Sequence, residues 1–372
     1  MNTSFQTYTT IKRTLMHTLP VRRGSHYEQQ VNTLAMLIYG IISSKSVQFP
    51  ALVQPLPVRG VKSESLITRI KRWVCHKNVN HTTMFAPFVK IFLQYLSSSG
   101  LTIIIDGSAM GRGCFVLMAS LVWKKRAIPL TWIVVEGQKG HLPEVLHLQL
   151  LEELRAIIPL ETKVVILGDG EFDGIQFLAA MQNERWQYVC RTAMNTCITK
   201  DGNTFSLMSQ PMNPGTIAAW SDALFTHQRY GPVLVIALWE VGYERPIYLV
   251  TSLKDVSTAT EVYRLRFIIE TLFSDQKSRG FNIHKSHLSH PERISRLLIA
   301  TSLSYLVVLH IGVFAQQNDW VKQFHRKHRC DISLFQCGLR AFSYAIREKL
   351  RIPMSFLLTG GLTEKANIFS VQ

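Results

Sequence analysis

Acidic residues are scarce in this sequence. It has 25 Asp and Glu against 41 Lys and Arg, a formal charge of +16. That balance suits a polyanionic partner, either nucleic acid or an anionic membrane surface. The cations are spread along the chain instead of gathering in a tail, which favours a long binding surface. Cysteine is also sparse. The six cysteines, at 75, 114, 190, 197, 330 and 337, form no CxxC pair. In a chain of 372 residues this excludes a disulfide scaffold and reads as reduced thiols in a cytoplasm. The stretch "MNTSFQTYTTIKRTLMH" contains no apolar h-region, so no signal peptide is expected. No internal repeat and no low-complexity segment is present. Bilayer-length apolar runs are limited to "LLIATSLSYLVVLHIGVF" at 297–314. Its His310, Tyr305 and hydroxyls mark it as a buried core helix instead of a membrane span.

At 47% hydrophobic residues the chain can bury a sizeable core, and its length predicts two or three domains. Residues 1–98 read as helical. Within them, "VRGVKSESLITRIKRWVCHK" follows a Pro-rich break and predicts a short basic helix capped by Ser63 or Ser65, bearing Arg69, Lys71, Arg72 and Trp73. A basic helix after a turn resembles half of a helix-turn-helix, and we expect it to contact DNA. From residue 101 the texture changes. "LTIIID", "FVLMASLVW" and "IPLTWIVVEG" predict three strands, "LPEVLHLQLLEELRAIIP" a helix, "TKVVILGD" a strand, "GIQFLAAMQNER" a helix and "WQYVCRT" a strand. The first and fourth strands are wholly apolar, as central strands covered on both faces should be. Residues at about 195–255 switch to short strands ("TFSLMS", "ALFTHQRY", "VLVIALWEV", "IYLVTSL"), a β-rich insertion. The chain after Gly280 is helical again. The expected organisation is therefore 1–98 helical and DNA-binding, 99–285 an α/β core carrying the insertion, and 286–372 helical.

"YRLRFIIETLFSDQK" places Tyr263, Arg266, Glu270 and Lys277 within about 60° on one side of an α-helix, at roughly 100° per residue. Leu265, Ile268, Ile269 and Leu272 fall on the other side. A solvated charged face is the bland reading. The stripe nevertheless mixes one carboxylate with two cations and a phenol, all usable around a phosphate and a metal. Asp106 and Asp169 each close an apolar strand. Two strand-end carboxylates joined by Glu270 from a helix can share a pair of Mg²⁺ ions, which take oxygen ligands. Two such ions clamp the attacking and leaving oxygens of a phosphoryl displacement. Without a cation, three such groups would repel one another. A lone strand-end Asp is more often a turn former or helix cap, so the argument rests on the combination. In "GDGEFDG", Asp173 competes with Asp169 for the second position, and Glu171 competes less well; Asp169 closes the strand itself.

Asp106, Asp169 and Glu270 on this strand order resemble the DDE transposases of bacterial insertion sequences. The spacing Tyr263-(2)-Arg266-(3)-Glu270-(6)-Lys277 is similar to the signature of one subgroup, which carries a β-strand insertion between the second aspartate and the glutamate. The resemblance covers residues 100–285 well and the flanking helices loosely. It implies a ribonuclease H-like mixed-sheet core, two Mg²⁺ ions (Mn²⁺ substituting) held by Asp106, Asp169 and Glu270, and phosphate contacts from Arg266, Lys277 and Tyr263. It also implies cleavage at transposon ends followed by strand transfer. The partners implied are double-stranded DNA and further copies of the chain, without a membrane, in a bacterial cytoplasm at the nucleoid. A flipped base would stack on an aromatic ring, for which Trp220 and Trp239 are candidates; either can equally be a sheet-packing residue. The alternatives are a related metal-dependent nuclease or resolvase, or a non-catalytic DNA-binding derivative of a transposase. "DGSAMGRG" and "GDGEFDG" do not fit a dinucleotide fingerprint. His325, His328, Cys330 and Cys337 lack tight zinc spacing, so "HRKHRC" reads as a basic loop.

Overall fold

The computed structural model describes residues 3–20, 25–137, 140, 142–326 and 331–358. Helices come first: α1 (Thr3–Thr18), α2 (Ser25–Ser44), α3 (Phe49–Val53), α4 (Ser63–Cys75), α5 (His81–Met84) and α6 (Ala86–Leu96). Then β1 (Leu101–Ala109), β2 (Cys114–Trp123), β3 (Arg126–Glu136), α7 (Glu144–Arg155), β4 (Val164–Gly168), α8 (Ile175–Asn183) and β5 (Gln187–Thr192) follow in the predicted order. The insertion supplies β6 (Cys197–Lys200), β7 (Asn203–Ser206), β8 (Ile217–Phe225), β9 (Tyr230–Leu238) and β10 (Ile247–Thr251). The chain continues with α9 (Val256–Arg264), α10 (Ile268–Gln276), α11 (Pro291–Gln317), α12 (Val321–Phe324) and α13 (Leu334–Arg347).

Among the described residues the strands form one ten-stranded sheet, in the order β3-β2-β1-β4-β5-β10-β9-β8-β6-β7. β1 runs parallel to β4 and β4 parallel to β5, while β1, β2 and β3 pair antiparallel. This is a mixed α/β core with the strand order that the sequence pattern anticipates and the ribonuclease H-like form that the family resemblance implies, with helices on both sides of it in sequence. The central strands are apolar because both faces are covered. Leu101–Ile105 of β1 and all of β4 are buried. The insertion is not a separate sheet. β10 pairs antiparallel with β5, so the insertion extends the core sheet sideways. Two details of its reading change. "ALFTHQRY" is not a strand: β8 ends at Phe225, and the chain turns through Thr226 and Arg229, both with positive φ (61° and 57°), into β9. β6 was not anticipated.

The helix at 291–317 is long and apolar enough to span a bilayer, yet 89% of its most apolar window is buried inside the molecule. It packs on α13 and on α2. Gly338 permits the first contact, since a Cβ there would lie 1.9 Å from the Val308 carbonyl oxygen. The N-terminal and C-terminal helices therefore share a layer against the sheet. Arg296 of α11 ties them further. Only 7% exposed, it donates to the carbonyls of Val74 (3.1 Å) in the last turn of α4 and of Val79 (2.9 Å) after it, and pairs with Glu292 at 2.8 Å.

α4 begins differently from its expectation. Its N-cap is Lys62, with extended backbone (φ −66°, ψ 142°) and no side-chain cap, and Ser63 is already helical. A capping side chain must sit on the last non-helical residue, so neither Ser63 nor Ser65 holds that position.

Candidate active site

The parallel register of β1 and β4 places two carboxylates at one level. Ile104 pairs with Leu167; Asp106 lies two residues beyond the first and Asp169 two beyond the second. Both therefore stand just past the point where the two central strands stop pairing, the region where ligand sites form in open α/β sheets; Asp169 follows the end of β4, but Asp106 does not close its strand, because β1 runs on to Ala109 along β2. Glu270 comes from the first turn of α10. Together the three line a cavity of about 790 Å³, which Arg266 and Lys277 also line.

The expected continuous helix through Tyr263 and Lys277 is interrupted. α9 ends at Arg264, a 3₁₀ turn covers Leu265–Phe267, and α10 starts at Ile268. Arg266 lies in that turn and is buried. The stripe is not a solvated face. Tyr263 and Arg266 are 3% and 8% exposed, while the Glu270 side chain is 60% exposed. Leu265 and Ile268, expected in the core, are only half-buried.

Arg266 links two of the carboxylates. Its Nη1 donates to Asp106 Oδ2 at 3.1 Å and its Nη2 to Glu270 Oε1 at 3.4 Å. The guanidinium also lies over the Phe267 ring, 4.4 Å from its centroid. Asp106 Oδ1 accepts from the Gly107 N–H at 2.7 Å. Gly107 must lack a side chain, because a Cβ there would lie 2.3 Å from the Phe115 ring. Burial pushes the Asp106 carboxyl up to about 6, opposed by Arg266 and by the Gly107 bond and reinforced by Asp169 and Glu270. Tyr263 stands behind this wall and does not line the cavity. Burial raises its phenol to about 12 against the pull of Arg266 and Arg191, with Cys190 and Asp169 adding to the rise. Lys277 Nζ donates to Ser108 Oγ at 2.7 Å.

The competitors for the second aspartate differ in place. Asp173 Oδ2 accepts from Thr192 Oγ1 at 2.6 Å and lies outside the cavity lining, against β5. Glu171 does line the cavity, and its carboxylate accepts from the Leu142 N–H and faces His147 Nε2 at 3.7 Å. Sequence reasoning missed Ser108 and Arg191, and ranked Glu171 only as a weaker competitor for Asp169. Of the two missed residues Ser108 carried a signal, being two residues after Asp106 and so on the same face of β1.

Among the described residues no group of three or more His, Cys, Asp or Glu is gathered closely enough to hold a metal. Arg266 stands between Asp106 and Glu270 instead. The donor chemistry nonetheless fits a hard divalent cation. The donors are all carboxylate oxygens, and one of them has its charged form disfavoured by burial and by the other two.

The remaining candidates lie elsewhere. Trp220 is half-buried with its ring against Phe205, centroids 5.8 Å apart. The Trp239 indole donates to the Tyr243 carbonyl at 2.8 Å. Neither ring lines the carboxylate cavity: Trp220 lies on β8, and Trp239 follows β9, four strands from β1. Its neighbour Glu240 does reach toward α9, pairing with Arg264 at 2.7 Å. On α4, Arg69 donates to Thr33 Oγ1 (2.9 Å) and the Gln29 carbonyl (3.3 Å), and Trp73 to the Gln30 carbonyl (3.0 Å). Lys71 and Arg72 are exposed. His328 and Cys330 lie outside the described residues, and His325 Nε2 lies 2.6 Å from Asp331 Oδ1.

A family model described as "Transposase DDE domain" matches residues 102–307. That span is more than half of the chain and includes every residue of the cavity wall named above. No curated protein matches the chain. Among solved structures, the chain is similar to a piggyBac transposase synaptic complex with hairpin DNA, seen by cryo-electron microscopy. The identity is 12%, over 98% of this chain and 85% of that one, with a TM-score of 0.46. A likeness that distant bears on neither mechanism nor partner.

Proposed function

The chain belongs to the transposase DDE-domain family, and from that membership we propose that it cleaves DNA at transposon ends and joins them to target DNA. The observation that carries the reading is the Arg266 bridge between Asp106 and Glu270, set beside Asp169 just past the last paired residues of two parallel strands. In each step an oxygen nucleophile attacks phosphorus and the bond to the 3′ oxygen breaks. Water is the nucleophile first and releases a 3′-OH; that hydroxyl then attacks a target phosphodiester. When bound at Asp106, Asp169 and Glu270, divalent cations (Mg²⁺, with Mn²⁺ substituting) supply Lewis acidity and charge neutralisation at the scissile phosphate.

The chain's own residues prepare that site. Arg266, held over Phe267 and paired on one side with Asp106, is a preorganised guanidinium for phosphate oxygens. Lys277, held by Ser108, presents a second cation to the cavity. Tyr263 keeps its proton across the physiological range, because its phenol is raised to about 12. Being buried, it supports Asp169 and Arg266 from behind. Exposed Lys71 and Arg72 of α4 are the proposed contacts for double-stranded end DNA, with Arg69 anchored between them and α2.

The Tyr263-Arg266-Glu270-Lys277 spacing supports assignment to the insertion-sequence subgroup with a β insertion. It also supports a bacterial protein working in the cytoplasm at the nucleoid, as a dimer or higher assembly on paired ends. The test uses the DNA flanking the coding region, cloned as a donor. Purified protein with Mg²⁺ should nick or cut at inverted repeats and join their 3′ ends to a plasmid, and Glu270→Gln should do neither. Cutting without joining would leave a nuclease in its place.

A further inference from the structure

Beyond the cavity, the chain builds a basic ledge. The segment "KSRGFNIHKSHLSH" at 277–290 has three Lys or Arg, three His and no carboxylate. The nearest acids on either side are already engaged. Asp275 is buried against Arg126, and Glu292 is paired with Arg296. The segment starts inside the site, since Lys277 and Ser278 line the cavity, and then runs outward along the surface.

Its backbone is fastened on both sides, so the charges sit on a fixed support. The Arg112 N–H of the β1–β2 hairpin donates to the Leu288 carbonyl at 2.9 Å, and Cys114 Sγ donates to the Ser289 carbonyl at 3.2 Å. On the other side Asn282 Nδ2 donates to the Lys45 carbonyl at 3.2 Å, after the end of α2. Both fastening points bring a cation of their own. Arg112, Lys45, Lys285 and His287 are all exposed, and Arg112 Nη2 lies 3.1 Å from His287 Nδ1.

Resting on the transposase reading, we infer that this ledge holds the phosphate backbone of duplex DNA adjoining the scissile bond on the side away from the terminal repeat. The chemistry is that of a phosphate track, positive and without an apolar surface to read bases. The donor flank before cleavage and the target duplex before joining present the same chemistry there.

The experiment measures binding by full-length protein carrying Glu270→Gln, so that no cleavage confuses it. Three DNAs are compared: an end duplex stopping at the scissile phosphate, the same end with its flank, and the stopped end plus a target duplex. Combining Lys45→Gln, Arg112→Gln and Lys285→Gln should leave binding of the stopped end unchanged. It should weaken the flanked or target complex about tenfold or more and flatten its log–log salt slope by about 2.7 units, at about 0.9 per lost contact. Loss on the flanked arm assigns the ledge to the donor, and loss on the target arm assigns it to the target. Charge-keeping Arg112→Lys with Lys285→Arg should restore binding, which separates lost charge from damaged folding. Equal loss on the stopped end, no loss on any arm, or no rescue overturns the ledge. Failure of the transposase reading shows elsewhere, as wild-type protein that cuts no end DNA.

Discussion

The carboxylate cavity and helix α4 both stood out in the sequence as clusters of charge, yet the molecule uses them in opposite ways. In the cavity the charges are drawn inward. Asp106 and Arg266 side chains are 14% and 10% exposed, held there by strands and a 3₁₀ turn that join residues 160 positions apart. On α4 the charges stay outward. The buried face belongs to Leu66, Ile70, Trp73 and Val74, and Lys71 and Arg72 meet solvent. Buried charge in a low-dielectric wall acts strongly and locally; exposed charge acts weakly and additively. The first arrangement suits chemistry at one phosphate, the second attachment along many.

The largest expected effect tests that contrast directly. Glu270→Gln, Asp106→Asn and Asp169→Asn keep shape and remove charge, so each should lower end cleavage by about 10³-fold or more while end binding stays within about twofold. Asp173→Asn, away from the cavity and bonded to Thr192, should keep most activity. A gel assay of end cleavage beside a binding titration separates the four. An inactive Asp173→Asn with an active Asp169→Asn would move the second position.

Which parts of this were legible follows from how local each signal is. Apolar runs closed by Asp106 and Asp169 announce themselves, because strand period and burial are written in consecutive residues. The same holds for α11, whose hydroxyls and His310 fit a protein core. The inward turn of Arg266 was not legible, since it needs the 3₁₀ break and a partner on β1. Nor was the Lys277–Ser108 bond, made across 169 positions. The joining of β10 to β5, which makes the insertion part of the core sheet, is strand pairing between distant segments, and strand pattern does not specify such a partner. The cap of α4 failed for a smaller reason: two serines and a lysine compete within four residues, and backbone geometry chose the lysine.

A second, smaller effect sharpens the cavity side. The Asp106 carboxyl is raised to about 6 in the fold from an unfolded value near 3.8. A raised carboxyl contributes stability that is fully present below about 3.8 and lost as pH rises through about 6. Cation-free protein should thus lose on the order of 2–3 kcal/mol from this group between pH 4 and 7. Asp106→Asn should remove that slope and melt higher than wild type at pH 7. Adding Mg²⁺ should raise the wild-type melting temperature at pH 7 and leave the variant unmoved. Thermal melts at several pH values, with and without Mg²⁺, read all three outcomes. A wild-type slope of the opposite sign would mean the carboxyl is not held in this buried, crowded setting.

On the α4 side the effects shrink again. Lys71→Gln and Arg72→Gln each remove one exposed cation. Each should reduce the log–log salt slope of end binding by about 0.9 without changing the melting temperature, because neither side chain contributes to packing. Unchanged slopes in both would return α4 to a plain surface helix.

The smallest effect is the most discriminating, because Arg69 sits between the two regimes. Like its neighbours it is a cation on α4, but it donates to Thr33 Oγ1 and to the Gln29 carbonyl on α2. Part of its role is therefore to hold the two helices together. Arg69→Ala removes both bonds, but Thr33 Oγ1 keeps the hydrogen bond it donates to the Gln29 carbonyl at 2.8 Å. No buried donor is then stranded, and the cost should be only about 1 kcal/mol of stability. Arg69→Lys keeps the charge but cannot reproduce the planar donation to two acceptors. It should recover the salt slope of end binding and little of the melting temperature. Arg72→Ala should do the reverse, flattening the slope at an unchanged melting temperature. If Arg69→Ala and Arg72→Ala instead change the same quantity by the same amount, the bonds to α2 contribute nothing measurable and the division between anchoring and DNA-facing cations on this helix fails.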